Sequence, residues 1–222
     1  GPRAAGKSLT IDHYLNLIKV NHTIVKCDEC VTKRVLLQKC LKLIREDTKI
    51  PKDRYSENVS YRGGEVTNFG SLCENFENLI IALELFRQET GYQQQHVLVL
   101  DRVDQCMENV DELLPAFARL HEQSTLDNYS VIFVTSSRDI DLGWSIPHIF
   151  FSGYTQTQLV EVLHSLKLCH LKGYEIDVEQ QFYQQFIKSL VDIYYSLTGL
   201  NLAVLIELCH QLWPQFVEPV YL

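Results

Sequence analysis

The first eight residues constrain the fold more than any other stretch. Gly1-Pro2-Arg3-Ala4-Ala5-Gly6-Lys7-Ser8 has the pattern G-x-x-x-x-G-K-S, the Walker A phosphate-binding loop. Its glycines let the backbone curl so that successive N–H groups point at one anion. A helix beginning near Lys7 adds the positive end of its dipole. In such a loop the lysine, here Lys7, reaches the β- and γ-phosphates, and the hydroxyl, here of Ser8, takes a position on Mg²⁺. The whole stretch from Gly1 to Ser8 is therefore read as nucleotide-binding. A Walker A loop follows a buried β-strand, so that strand and the segment that contacts adenine are expected upstream of Gly1.

A second motif supports the first. His96-Val97-Leu98-Val99-Leu100-Asp101 is a continuous apolar run that ends in a carboxylate. Such a run reads as a buried parallel strand delivering an acid to the carboxyl edge of a sheet, where ligands bind in open α/β folds. In a P-loop protein this is Walker B, with Asp101 on the Mg²⁺. The cofactors expected are ATP and Mg²⁺, with Ser8 and Asp101 as the metal-side residues.

Between the motifs, residues 7–20 have helical spacing of apolar residues, His22 to Cys27 reads as a short strand, and a helix is expected to follow with Val35, Leu36, Leu37, Cys40, Leu41 and Leu43-Ile44 on its apolar side. Cys27-Asp28-Glu29-Cys30 has the spacing of a zinc knuckle, but a structural zinc site takes four ligands. The sequence offers no second C-x-x-C to complete it, and the further thiols toward it, Cys40 and Cys73, are distant. Buried thiols at a strand-to-helix turn are the favoured reading. Residues 45–70 are polar, lack periodicity and read as a long loop; Lys49, Lys52, Arg54 and Arg62 make it a candidate partner surface. Ser71-x-x-Glu74 is read as a capping box for a helix that Gly91 ends. A helix is expected over 111–120, a strand over 131–137 and a last short strand over 148–151.

From Thr155 onward only helices are expected. Thr155-x-x-Gln158 has the form of a capping box. Residues 180–198 follow a helical period, and a final helix is read from Asn201 to Trp213, with Pro214 just past its end. The fold class expected is α/β: a P-loop core with a parallel sheet over residues 1–152, then a small all-helical lid over 153–222.

This layout resembles the AAA+ ATPases, and that resemblance supplies further expectations. Hydrolysing AAA+ proteins place Glu directly after the Walker B Asp; here Arg102 stands there, and a guanidinium has no lone pair with which to act as a base. Loss of such a base costs about 10²–10⁴-fold. Asp104, two residues further on, offers a substitute carboxylate. Thr135 or Ser136 fits the polar sensor position at the end of the 131–137 strand. No Lys or Arg follows Lys188, so the lid has no arginine to place on the nucleotide. The usual position of an arginine finger reads Trp144-Ser145-Ile146-Pro147-His148, which leaves Arg119 and Arg138 as inter-subunit candidates.

The order GPRAAGKS, TIVKCDECVTKRVLL, HVLVLDRVD, ELLPAFARL, PHIFFSGYTQTQL and LWPQFVEPV is similar to the subunit 5 family of the eukaryotic origin recognition complex. The resemblance implies an ATP-binding AAA+ subunit in DNA replication initiation, nuclear, assembled with other AAA+ subunits of that complex and reaching origin DNA through it. It also implies a C-terminal winged-helix domain. With Arg102 in place, ATP is expected to serve assembly with little or no hydrolysis. The alternatives are an active initiator or helicase-loader ATPase of the same superfamily, and a signalling ATPase.

Composition narrows the field. The net charge is −8, whereas a domain that wraps nucleic acid by itself carries a basic face. No apolar run reaches the roughly 20 residues of a membrane span, and no membrane partner is expected. Seven cysteines in a chain of this size read as reduced thiols of an intracellular protein.

Overall fold

The computed structural model describes residues 4–55, 58–61, 65–68, 73–123, 125–137, 146–170, 176–195, 197 and 201–221. The chain divides into two compact units, Lys7–His148, and Ile149–Leu222 together with Gly1–Gly6. The architecture is α/β: a P-loop core built on a parallel sheet, and an all-helical lid of the AAA+ kind.

In the larger unit, helix α1 (Lys7–Leu17) leads into strand β1 (Asn21–Lys26), helix α2 (Lys33–Asp47), antiparallel strands β2 (Asn58–Tyr61) and β3 (Glu65–Asn68), and helix α3 (Phe76–Thr90). Strand β4 (His96–Asp101), the short helix α4 (Leu114–Ala118) and strand β5 (Tyr129–Val134) follow. The sheet order is β1-β4-β5 and both pairings are parallel. Strand β4 is therefore central, which explains its unbroken apolar sequence: a strand covered on both faces has no solvent side to mark with polar residues.

Side chains alternate across the sheet. Leu98 and Leu100 of β4 pack with Leu37, Leu41 and Ile44 of α2 and with Leu79 and Leu83 of α3. Val99 packs on the other face with Leu15 of α1 and Val134 of β5. The Thr32 side chain caps α2 by accepting from Val35 N–H, and Asn75 caps α3 by accepting from Asn78 N–H. The cap of α3 is thus Asn75; the Ser71 expected in that role lies outside the described residues. Gly91 closes α3 in the left-handed conformation at φ 70°, as glycine does at a helix C′ position.

Three expectations change. Residues 58–61 and 65–68 pair as antiparallel strands, with Asn58 opposite Asn68 and Tyr61 opposite Glu65, where the polar composition suggested a loop. These strands are only four residues each, too short for alternation to stand out against the polar flanks. Residues 148–151 make no strand; Ile149 and Phe150 remain 86% and 75% exposed. A short apolar run becomes a strand only where a ladder accepts its backbone groups. The helix expected over 111–120 shortens to α4 between turns.

The second unit holds helices α5 (Gln156–Leu166), α6 (Ile176–Tyr194) and α7 (Leu202–Tyr221). Thr155 and Gln158 form the reciprocal capping box read from the sequence. Leu159 and Leu163 of α5, Phe186, Ile187 and Leu190 of α6, and Leu205, Cys209 and Trp213 of α7 bury one core. Helix α7 does not stop at Trp213 but continues through Pro214 and Pro219. A proline inside a helix costs about 3 kcal/mol. Continuing the helix keeps Phe216 against Phe182 and Phe186, with ring centroids 5.0 Å apart in each pair, and keeps Val217 buried. Tertiary packing overrides the local breaker.

Candidate functional site

The site begins where α1 begins. Immediately before Lys7, Ala4 and Gly6 both take positive φ, 56° and 77°, a backbone that glycine adopts freely and alanine only at a cost of about 1–2 kcal/mol. Gly1, Pro2 and Arg3 lie outside the described residues. Burial lowers the Lys7 ammonium from its ordinary value, and the carboxylates of Asp104 and Asp101 act against that shift.

Asp101 is the last residue of β4, level with Lys26 at the end of β1 and Val134 at the end of β5. Its residue is 3% exposed, and its Oδ1 accepts a hydrogen bond of 2.8 Å from the Ser8 hydroxyl. The two motifs read from the sequence are thereby brought into direct contact. Hydroxyl and carboxylate oxygens are hard donors of the type Mg²⁺ takes, so the residues present fit that ion.

After Asp101 the chain turns sharply. Arg102 is left-handed at φ 58°, ψ 47°, and Val103–Gln105 forms one 3₁₀ turn. The Arg102 guanidinium hydrogen-bonds Asp28 Oδ2 and lies 4.0 Å from Asp101 Oδ2. Nothing in the sequence singled out Asp28 as that partner, since it lies 74 positions away inside the would-be zinc knuckle. Asp104 Oδ1 accepts from the Ser136 backbone N–H at 3.2 Å.

The sensor candidates are held by their own turn. Thr135 Oγ1 accepts from Ser137 N–H at 3.0 Å and donates to the Ser137 carbonyl at 3.3 Å, while Ser136 contributes its backbone N–H to Asp104. Arg119 is exposed at the end of α4, and Arg138 lies outside the described residues.

Cys27 and Cys30 are fully buried, and their thiols donate to the Val25 and Lys26 carbonyls at 3.7 and 3.5 Å. Burial pushes both thiols up from the ordinary range, the opposite of what a reactive thiolate requires. Among the described residues no group of three or more His, Cys, Asp or Glu is placed to hold a metal ion. All seven cysteines are free thiols.

Fold and motif contact together define a P-loop α/β protein with a helical lid. Comparison with known proteins agrees with that class. Residues 183–221, which span most of α6 and α7, match the family model described as "ORC5, lid domain". The chain is similar to "Origin recognition complex subunit 5" of Homo sapiens, 26% identical over 99% of this chain and 47% of that protein. It is also similar to the protein of the same name from Schizosaccharomyces pombe, 26% identical over 66% of this chain and 34% of the relative. The chain thus spans about half the length, or less, of the curated relatives it matches. No described helix is long and apolar enough to cross a membrane.

Proposed function

We propose that this chain is the nucleotide-binding portion of an origin recognition complex subunit, which holds ATP and Mg²⁺ as a structural ligand for assembly in DNA replication initiation. The observation that carries this reading is the 2.8 Å hydrogen bond between Ser8 and Asp101. Lys7 would hold the β- and γ-phosphates, the loop before α1 would wrap them, and Ser8 and Asp101 would hold the metal. Bound Mg²⁺ supplies charge neutralisation for the phosphates. The position that polarises water in hydrolysing AAA+ proteins is Arg102, engaged with Asp28; a permanent cation there cannot accept a proton. The similarity to origin recognition complex proteins of two organisms supports a nuclear protein whose partners are other AAA+ subunits, with origin DNA reached through the assembled complex.

The experiment is to denature the purified complex and identify the nucleotide released from this subunit. Intact ATP in the wild type, and none with Lys7→Ala, is the expected result. Ligand bound at a hundredfold excess over Kd adds roughly 2.7 kcal/mol of stability, so thermal unfolding of the wild-type chain should respond to Mg-ATP and that of Lys7→Ala should not. Assembly unaffected by Lys7→Ala would sink the proposal. Rapid phosphate release that disappears with Asp101→Asn would favour an active initiator ATPase instead.

A further inference from the structure

The helical lid holds a cavity of about 210 Å³ between the end of α5 and the first turns of α6. Pockets that take small molecules and cofactors run to roughly 300–1,000 Å³, so this one is sized for a single side chain. Its rim is firmly built. Leu168 N–H donates to the Tyr183 hydroxyl at 3.0 Å, the Cys169 thiol donates to the Cys209 carbonyl at 3.8 Å, and the His170 carbonyl accepts from the Trp213 indole at 3.2 Å. Residues 168 to 170 are thereby pinned to α6 and α7. Tyr183 donates in turn to the Leu163 carbonyl at 3.0 Å and stacks with the His164 ring, centroids 6.2 Å apart. Just before the pinned segment, Lys167 is left-handed at φ 47°, at the end of a helix where glycine is the usual residue.

On this frame polar groups converge without partners. His164, Lys167 and Gln180 line the cavity, and among the described residues none of the three makes a hydrogen bond or ion pair. The one carboxylate in the described wall, Glu179, is engaged with His170 Nδ1 at 3.0 Å. Residues 153–222 carry seven acidic residues against three lysines and no arginine. An unmatched cation beside two unused polar side chains therefore stands out in an acidic unit.

We propose that this cavity receives an acidic side chain, Glu or Asp, presented by a partner protein. Lys167 supplies the counter-charge, His164 and Gln180 supply N–H donors, and the Tyr183 ring covers the aliphatic stem. Charge and size together select that occupant. A nucleic-acid backbone spreads its charge over many phosphates and calls for a basic face, which an acidic unit with three lysines does not offer.

The test is an NMR titration of the 222-residue chain at constant ionic strength with N-acetylglutamate amide, its neutral glutamine analogue, and inorganic phosphate. The glutamate compound should shift the His164 and His170 resonances saturably, and the other two should bind about tenfold more weakly, the scale of one charge at a partly screened site. Lys167→Asn removes the charge with a residue that tolerates the left-handed backbone, and Gln180→Ala removes a donor. Both positions are exposed, so both variants should melt like the wild type while Lys167→Asn binds the glutamate compound about tenfold more weakly and Gln180→Ala a few-fold. No saturable shift, an equal response to the glutamine analogue, or full binding by Lys167→Asn overturns the proposal. Phosphate binding as tight as that of the glutamate compound overturns it in favour of a phosphate ligand.

Discussion

The Ser8 hydroxyl donates to Asp101 Oδ1 at 2.8 Å, tying the first turn of α1 to the end of the central strand across 93 positions of sequence. Asp101 is buried, so its carboxylate depends on partners rather than on water for solvation. Ser8→Ala removes one of them. In nucleotide-free and metal-free buffer this substitution should cost about 1–3 kcal/mol in urea unfolding, the scale of a buried acceptor left without its donor.

His96, at the opposite end of β4, should make stability depend on pH. Thr23 Oγ1 donates to Asp47 Oδ2 at 2.7 Å and so must accept from His96 Nε2–H at 3.0 Å. His96 Nδ1 then accepts from the Tyr92 hydroxyl at 3.0 Å. This wiring requires a neutral imidazole. Burial, with His22 adding to it, pushes His96 down to about 4 from 6.5. The folded value lies below the unfolded one, so the unfolded chain binds the extra proton. Stability is full above pH 6.5 and falls as the pH drops from there toward 4, by roughly 3 kcal/mol in total. Urea midpoints at pH 7 and pH 5 check the slope, which His96→Phe should flatten.

Gly91 ends α3 at φ 70° with nothing within 4 Å of where a Cβ would sit. The cost of Gly91→Ala is therefore conformational rather than steric, about 1 kcal/mol. Thermal denaturation should show a fall of a few degrees with unchanged helix content. A larger loss would mean that the added methyl group meets a contact.

Pro214 lies inside α7, where it denies the His210 carbonyl its helical donor. Pro214→Ala restores that donor and should raise the stability of the lid by about 1–3 kcal/mol. Trp213→Ala should do the opposite, by about 3–5 kcal/mol. Trp213 meets Phe186 and Tyr183 edge-on at 5.1 and 5.7 Å and gives its indole N–H to the His170 carbonyl at 3.2 Å. Circular dichroism melts of the two variants should move in opposite directions.

Local chemistry determined a good deal of this protein from sequence alone. The glycine-bounded loop ending in Lys7 and Ser8, the apolar run ending in Asp101, the capping box at Thr155 and the helix stop at Gly91 were legible because each depends on neighbours within a few residues. The same holds for Arg102: its inability to act as a base follows from its chemistry, wherever it points. Tertiary structure decided what depends on distant partners. It put Ser8 on Asp101, turned Arg102 to Asp28 and Asp104 to Ser136, left Ile149 and Phe150 without a ladder, and carried α7 through Pro214. None of these is encoded in a window of sequence. Each depends on partners that only the folded chain brings together, or on the lack of one.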